Sequence, residues 1–148
     1  MGGEEGPIIP YQRPRRSGSQ TLFLSLLMVD EAPMDAPKDW APYTMGQLVD
    51  IVGGYQNSRE ALGYSMYYYV HNMYGLDTVR ILSIEGVAPS EQSLLDESYP
   101  LIGYYCAVLR KDTPADAPAR LLVDYLLSDE GQRMIARAGY VREADAEP

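Results

Sequence analysis

Arg13-Pro14-Arg15-Arg16-Ser17-Gly18-Ser19-Gln20-Thr21 runs directly into the apolar stretch Leu22–Val29. A strand ending near Arg13 is thereby joined to a helix beginning near Ser19, through a turn carrying three guanidinium groups and three hydroxyls. A helix start presents backbone N–H groups without intrahelical acceptors together with the positive end of the helix dipole. That geometry receives phosphate, sulfate or carboxylate without a metal. Gly18 lets the backbone approach a ligand closely. The hydroxyls at Ser17, Ser19 and Thr21 exceed what one helix cap uses. The same residues also describe an ordinary capped helix flanked by solvated arginines, so the turn has an anion-binding reading and a plain one.

Outward from the turn, Pro7–Arg13 reads as an extended segment, and its two prolines favour an edge or initial strand. The helix from about Gln20 to Val29 is apolar on nearly every side and is expected to lie between layers. A loop rich in Pro, Asp and Ala spans Glu31–Tyr43. Thr44-Met45-Gly46-Gln47 fits a capping box, with Leu48, Val49, Ile51 and Val52 as the apolar stripe and Gly53-Gly54 as the stop. Ala61–Tyr64 is a short strand. Ser65 then caps a helix in which Met66, Tyr69, Val70 and Met73 recur at helical spacing until Gly75.

Val79–Ile84 reads as a further strand and Ser90–Asp96 as a short helix. Leu101–Arg110 is a nearly continuous apolar run of the kind that forms a strand covered on both faces. Two helices finish the chain. The first, from about Ala117 to Leu127, points Leu121, Leu122, Tyr125 and Leu126 inward; the second starts at Ser128 and stops at Gly139. Strands alternate with helices, which predicts an α/β domain of layered sheet and flanking helices over residues 7–142, with residues 1–6 and 143–148 as flexible ends.

The chain has 148 residues, enough for one core without disulfide or metal staples. With 12 Lys plus Arg against 21 Asp plus Glu, the net charge is −9. Such a surface repels polyanions and argues against a nucleic-acid partner. Residues 13–16 nevertheless hold three of the ten arginines, a positive spot in an acidic shell. One cysteine excludes an internal disulfide and leaves the compartment open.

The remaining candidates read as structural. Tyr64, Tyr67, Tyr68, Tyr69 and Tyr74 are expected to pack a helix against a sheet rather than stack on a sugar or base. His71 has no second ligand at metal spacing and reads as a surface residue. Cys106, inside an apolar run, reads as a small buried hydrophobe. A hydrolase with Ser19 or Cys106 as nucleophile requires His71 as base, and no nucleophile elbow, Walker A lysine or paired-carboxylate signature supports one. No enzyme, metal or cofactor is expected.

Four stretches carry a family resemblance. They are Arg13–Thr21; Ala61–Ser65 with the tyrosines after it; Tyr99-Pro100-Leu101 leading into Tyr105–Asp112; and Leu126–Gln132 ending in Gly139-Tyr140-Val141. In their order and spacing the chain resembles the C-terminal half of the phosphate-binding receptors of bacterial ABC transporters, a branch of the type II periplasmic substrate-binding proteins. The resemblance implies most of the second lobe plus C-terminal elements returning toward the first, with the crossover in Leu101–Arg110. It implies a ligand site of Arg13, Arg15, Ser17, Gly18, Ser19, Gln20 and Thr21, with Ser19–Thr21 on the family's Ser-Gly-Thr turn and Gln20 replacing its glycine. Arg15 has the family's spacing to the serine, whereas Arg13 matches if the turn is two residues longer; Arg13 is preferred.

The implied function is phosphate or similar oxyanion binding for ABC permease subunits, outside the cytoplasm, in a protein anchored through an N-terminal segment. The family's first lobe has no counterpart here, so the chain is expected to be a truncated half-receptor that binds weakly and self-associates through surfaces the absent lobe would cover. The alternative is an adhesin, sensor or other interaction domain of the same fold with a degenerate ligand site.

Overall fold

The fold is described from a computed structural model covering residues 6–37, 41–55, 59–74 and 77–142. The chain divides into two compact units, Met1–Leu82 and Ser83–Pro148. Expectations for residues 1–5, Gly75 and the tail 143–148 lie outside the described residues.

In the first unit, strand β1 (Ile9–Pro10) pairs in parallel with β2 (Ala61–Leu62), Ile9 opposite Ala61 and Pro10 opposite Leu62. Ile9 N–H donates to the Glu60 carbonyl at 2.8 Å and Tyr11 N–H to the Leu62 carbonyl at 2.8 Å. Pro10 sits between them with no N–H to offer, a placement compatible with its missing donor. A parallel pair needs a long crossover, and residues 11–60 supply it with two helices.

Helix α1 (Gly18–Phe23) is capped by Ser17 and continues as a π-helical turn, Leu24–Met28, closed by Val29 N–H on the Leu24 carbonyl at 2.9 Å. The helix is less buried than its composition predicts: Leu26, Leu27 and Val29 are exposed.

Helix α2 (Met45–Asp50) starts at the expected capping box, with Gln47 N–H on Thr44 Oγ1 and the Gln47 side chain accepting from Thr44 N–H. It continues through a π-helical turn, Ile51–Tyr55, past the glycines expected to stop it. Leu48 and Val49 of α2, Tyr11 after β1 and Pro42 are buried apolar residues of the unit. A Cβ on Gly63 would stand 2.6 Å from Leu48 Cδ2 and 2.9 Å from Val52 Cγ2, so the segment after β2 lies hard against α2. A third helical segment, Tyr69–Tyr74, is π-helical and also packs on α2, with the Tyr74 hydroxyl against Gly46. The tyrosine-rich helix, expected against a sheet, has its described packing on helix α2. Ser65 does not cap it: Ser65 Oγ is buried without a hydrogen-bond partner among the described residues.

In the second unit, α3 (Glu91–Leu95) begins at Ser90 with a reciprocal capping box to Ser93, and buried Ser93 Oγ also donates to the Ala88 carbonyl. Helix α4 (Pro118–Leu127) opens with proline at its first position, and α5 (Asp129–Arg137) is capped by Ser128 with Asp129 and Glu130 in its first turn. Gly131 makes the α4–α5 corner, since a Cβ there would meet the Tyr125 carbonyl and approach Leu126 Cα to 2.6 Å. Gly139, at φ 90°, follows α5 in the left-handed conformation that glycine adopts without strain.

Three expectations fail here for one reason. Leu101–Arg110 forms no strand, and Tyr104, Tyr105 and Val108 are 70%, 68% and 90% exposed. Cys106 within it is exposed, not buried. Leu121, Leu122 and Tyr125 of α4 are exposed rather than inward. A strand exists only by pairing, and among the described residues this unit has no strand to receive one; its lone pairing is the Ile84–Val87 bridge. That bridge also replaces the strand predicted over Val79–Ile84. It closes on Glu85 and Gly86 at φ 52° and 84°, the tight hairpin turn that needs two left-handed residues.

Candidate oxyanion turn at the start of helix α1

β1 ends at Pro10, three residues before Arg13, and Ser17 N–H donates to the Pro14 carbonyl at 2.9 Å to form the turn into α1. Ser17 is extended and its Oγ accepts from Gln20 N–H at 3.4 Å, a long bond for a cap. Thr21 N–H and Thr21 Oγ1 both donate to the Ser17 carbonyl. The amides of Gly18 and Ser19 then have no acceptor inside the helix. Gly18 is exposed and nothing stands within 4 Å of where its Cβ would be. No acidic residue occupies the first turn.

Arg13 is folded onto this helix start. Its Nη1 donates to Ser19 Oγ at 2.9 Å and its Nη2 to the Tyr43 carbonyl at 2.6 Å, while Nε is buried without a partner among the described residues. Arg15 and Arg16 are exposed. Ser19 and Gln20 are only 6% and 5% exposed, so two of the candidate residues contribute to the interior as well as to the turn.

Gln20 points its carboxamide inward. Its Oε1 accepts from the Tyr64 hydroxyl, and its Nε2 donates to Gln12 Oε1 at 3.2 Å. Gln12 Nε2 in turn donates to the Met34 carbonyl at 2.5 Å. The Tyr64 oxygen also accepts Arg13 N–H at 2.9 Å, and its ring stacks on Phe23 with centroids 4.4 Å apart and planes at 7°. Burial pushes the Tyr64 phenol above its ordinary range, partly offset by the Arg13 N–H and the Arg13 charge, both of which favour the anion.

Tyr64, Gln12 and Tyr43 were not legible as site residues, because Tyr64 lies 51 residues from Arg13 and meets it only through the β1–β2 register. Knowledge that the two strands are parallel and in register is the one signal that could have found Tyr64. The other candidates stay apart from the turn's hydrogen bonds: His71 is exposed and stacks on Tyr67 with centroids 5.0 Å apart. Among the described residues no group of His, Cys, Asp or Glu is placed to hold a metal ion, and no helix is long and apolar enough to cross a membrane.

No protein-family model and no curated protein matches this sequence. The fold does have a solved counterpart: the crystal structure of PstS from Borrelia burgdorferi matches with a TM-score of 0.62 at 18% identity. The match covers 96% of this chain and 55% of that one, so the chain spans about half the length of the protein it resembles. At that identity the likeness establishes the fold, a partial PstS-like α/β arrangement of helices with a small sheet.

Proposed function

We propose that this chain is the phosphate-binding part of a receptor serving an ABC transport system, non-catalytic and extracytoplasmic, contributing one of two jaws that close on the anion. The observation that carries this reading is the open, acid-free start of α1 beside the Arg13 guanidinium. The order of sequence motifs and the PstS-like fold support it. The amides of Gly18 and Ser19 are the main-chain donors for the anion, and the long Ser17 cap bond exchanges readily for a ligand oxygen. Because Ser19 Oγ accepts from Arg13, its own proton remains available to donate. Arg13 is the counter-charge already seated at the turn, and Arg15 reinforces the field from the exposed side. Residues 7–142 act together as most of one lobe with its returning elements, and permease subunits are the partners.

These donors carry no carboxylate acceptor for a phosphate proton, so this half of the cleft binds phosphate and sulfate with similar affinity; discrimination belongs to groups opposite it. Half a cleft leaves the anion facing water, which weakens each contact. Isothermal titration of this chain with phosphate should give a dissociation constant of about 1 mM or weaker. Arg13→Ala and Ser19→Ala should each weaken it further. Unchanged affinity in both variants would sink the site assignment, and a submicromolar constant would contradict the half-cleft account.

A second reading, an interaction domain with a degenerate site, is favoured by the burial of Ser19 and Gln20 and by their hydrogen bonds within the chain. Absence of any phosphate heat at high ligand concentration would select it. Either reading includes self-association through apolar side chains such as Leu121, Leu122 and Val108, which are exposed. Light scattering that gives monomer at every concentration would remove that part.

A further inference from the structure

We propose that Tyr64 is the positioning residue of this anion turn, holding Arg13 and Gln20 in place through one hydroxyl without touching the ligand itself. The inference rests on the phosphate-binding reading and deepens it. The phenol oxygen makes two bonds of opposite sense: it accepts Arg13 N–H and donates to Gln20 Oε1. Those two residues lie on either side of the turn, Arg13 in the connection after β1 and Gln20 in the first turn of α1, so a single atom ties the two sides together. The bonds also run in one direction along a chain, from Arg13 N–H to Tyr64, to Gln20, to Gln12 and to the Met34 carbonyl. Every link donates onward, and such chains strengthen each member by polarisation.

The arrangement explains how a long polar side chain is accommodated in the first turn of α1. Gln20 has a long polar side chain that, left free, would compete for the helix-start amides or fill the space beyond Gly18. With its carboxamide drawn inward by Tyr64 and Gln12 it is buried, and the position beyond Gly18 stays open. Phe23, one turn further along α1, stacks on the Tyr64 ring and fixes the hydroxyl's approach. The Arg13 backbone held by Tyr64 is what directs its guanidinium to Ser19 Oγ and the Tyr43 carbonyl.

The test is a phosphate titration of the whole chain at constant ionic strength, followed by backbone and side-chain amide NMR, in wild type, Tyr64→Phe, Arg13→Ala and the double variant. Tyr64→Phe should weaken phosphate binding about tenfold, the scale of one lost buried hydrogen bond. In the Arg13→Ala background the same change should weaken it less than about twofold, since neighbours acting through one network are not additive. Phosphate should shift the Arg13 amide and the Gln20 side-chain NH2 in wild type but not in Tyr64→Phe, a signature that lost stability alone would not produce. Should Tyr64→Phe fail to fold, Gln20→Met removes the Gln20 half of the tether, leaves the Arg13 N–H bond in place, and should still weaken phosphate binding by about threefold or more. Wild-type binding that survives Tyr64→Phe or Gln20→Met unchanged, while Arg13→Ala abolishes it, overturns this inference and leaves the phosphate reading standing. Absence of wild-type binding overturns both.

Discussion

Helices α1 and α5 both start at a serine N-cap, yet the first turn of α5 is acidic while that of α1 is uncharged with an arginine against it. At α5, Ser128 Oγ accepts Gly131 N–H at 3.3 Å and Asp129 and Glu130 sit at the positive end of the dipole, so the helix neutralises its own start. At α1 the cap is similar, no acid is present, and Arg13 lies against the first turn with Arg15 and Arg16 exposed nearby. Arginine beside a helix N-terminus opposes the dipole, so local stability alone does not account for this choice. A foreign anion would reconcile the two positive features, whereas α5 has nothing left to reconcile.

The largest effect tests the claim that the α5 start is purely structural. Gly131→Ala would drive a methyl into the Tyr125 carbonyl and the Leu126 backbone, which cannot rotate away. It should destabilise the chain by about 3 kcal/mol or more in urea unfolding; a loss near zero would mean the corner is looser than described. Next, Arg13→Ala should reduce phosphate affinity at least about tenfold and cost about 1–3 kcal/mol, because it leaves Ser19 and the Tyr43 carbonyl without their donor. Charge exchange is a smaller and more direct way to break the comparison. Gly18→Glu would give α1 the first-turn carboxylate it lacks, in open space. It should stabilise by about 0.3–1 kcal/mol while abolishing anion binding, and Glu130→Gln in α5 should destabilise by a similar amount. If both changes leave stability and phosphate binding untouched, the two helix starts do not differ in the way argued.

The smallest effect is a pH dependence contributed from α1's side by Tyr64. Tyr64 has its phenol pKa raised in the fold, so the folded chain holds that proton more tightly than the unfolded one. The contribution is complete below the unfolded value of 10.0 and is lost as pH rises through the higher folded value. Tyr64→Phe should flatten the fall of stability above that pH. A wild-type curve with the same slope as the variant would show that Tyr64 is not buried as described.

What the sequence reveals follows from how local each signal is. The box at Thr44-Gln47 and the helix starts at Ser90 and Ser128 are legible because cap and partner lie within one turn. The apolar run Leu101–Arg110 misleads because apolar content does not distinguish a covered strand from a segment lacking neighbours to pair with. Cys106 and the α4 leucines are misread with it. At the site, Arg13, Ser17 and Ser19 stand out by local chemistry. Tyr64 does not, since among five tyrosines between residues 64 and 74 only the β1–β2 register selects it. The inward turn of Gln20 is equally invisible, because its partners Gln12 and Tyr64 lie on different elements.

The most direct measurement is an amide NMR titration of the wild-type chain with inorganic phosphate at constant ionic strength, read at both helix starts together. Saturable shifts at Gly18 and Ser19, with none at Glu130 and Gly131, are the predicted result. Equal shifts at the two starts, or no shift at Gly18 and Ser19 at any phosphate concentration, would contradict the account.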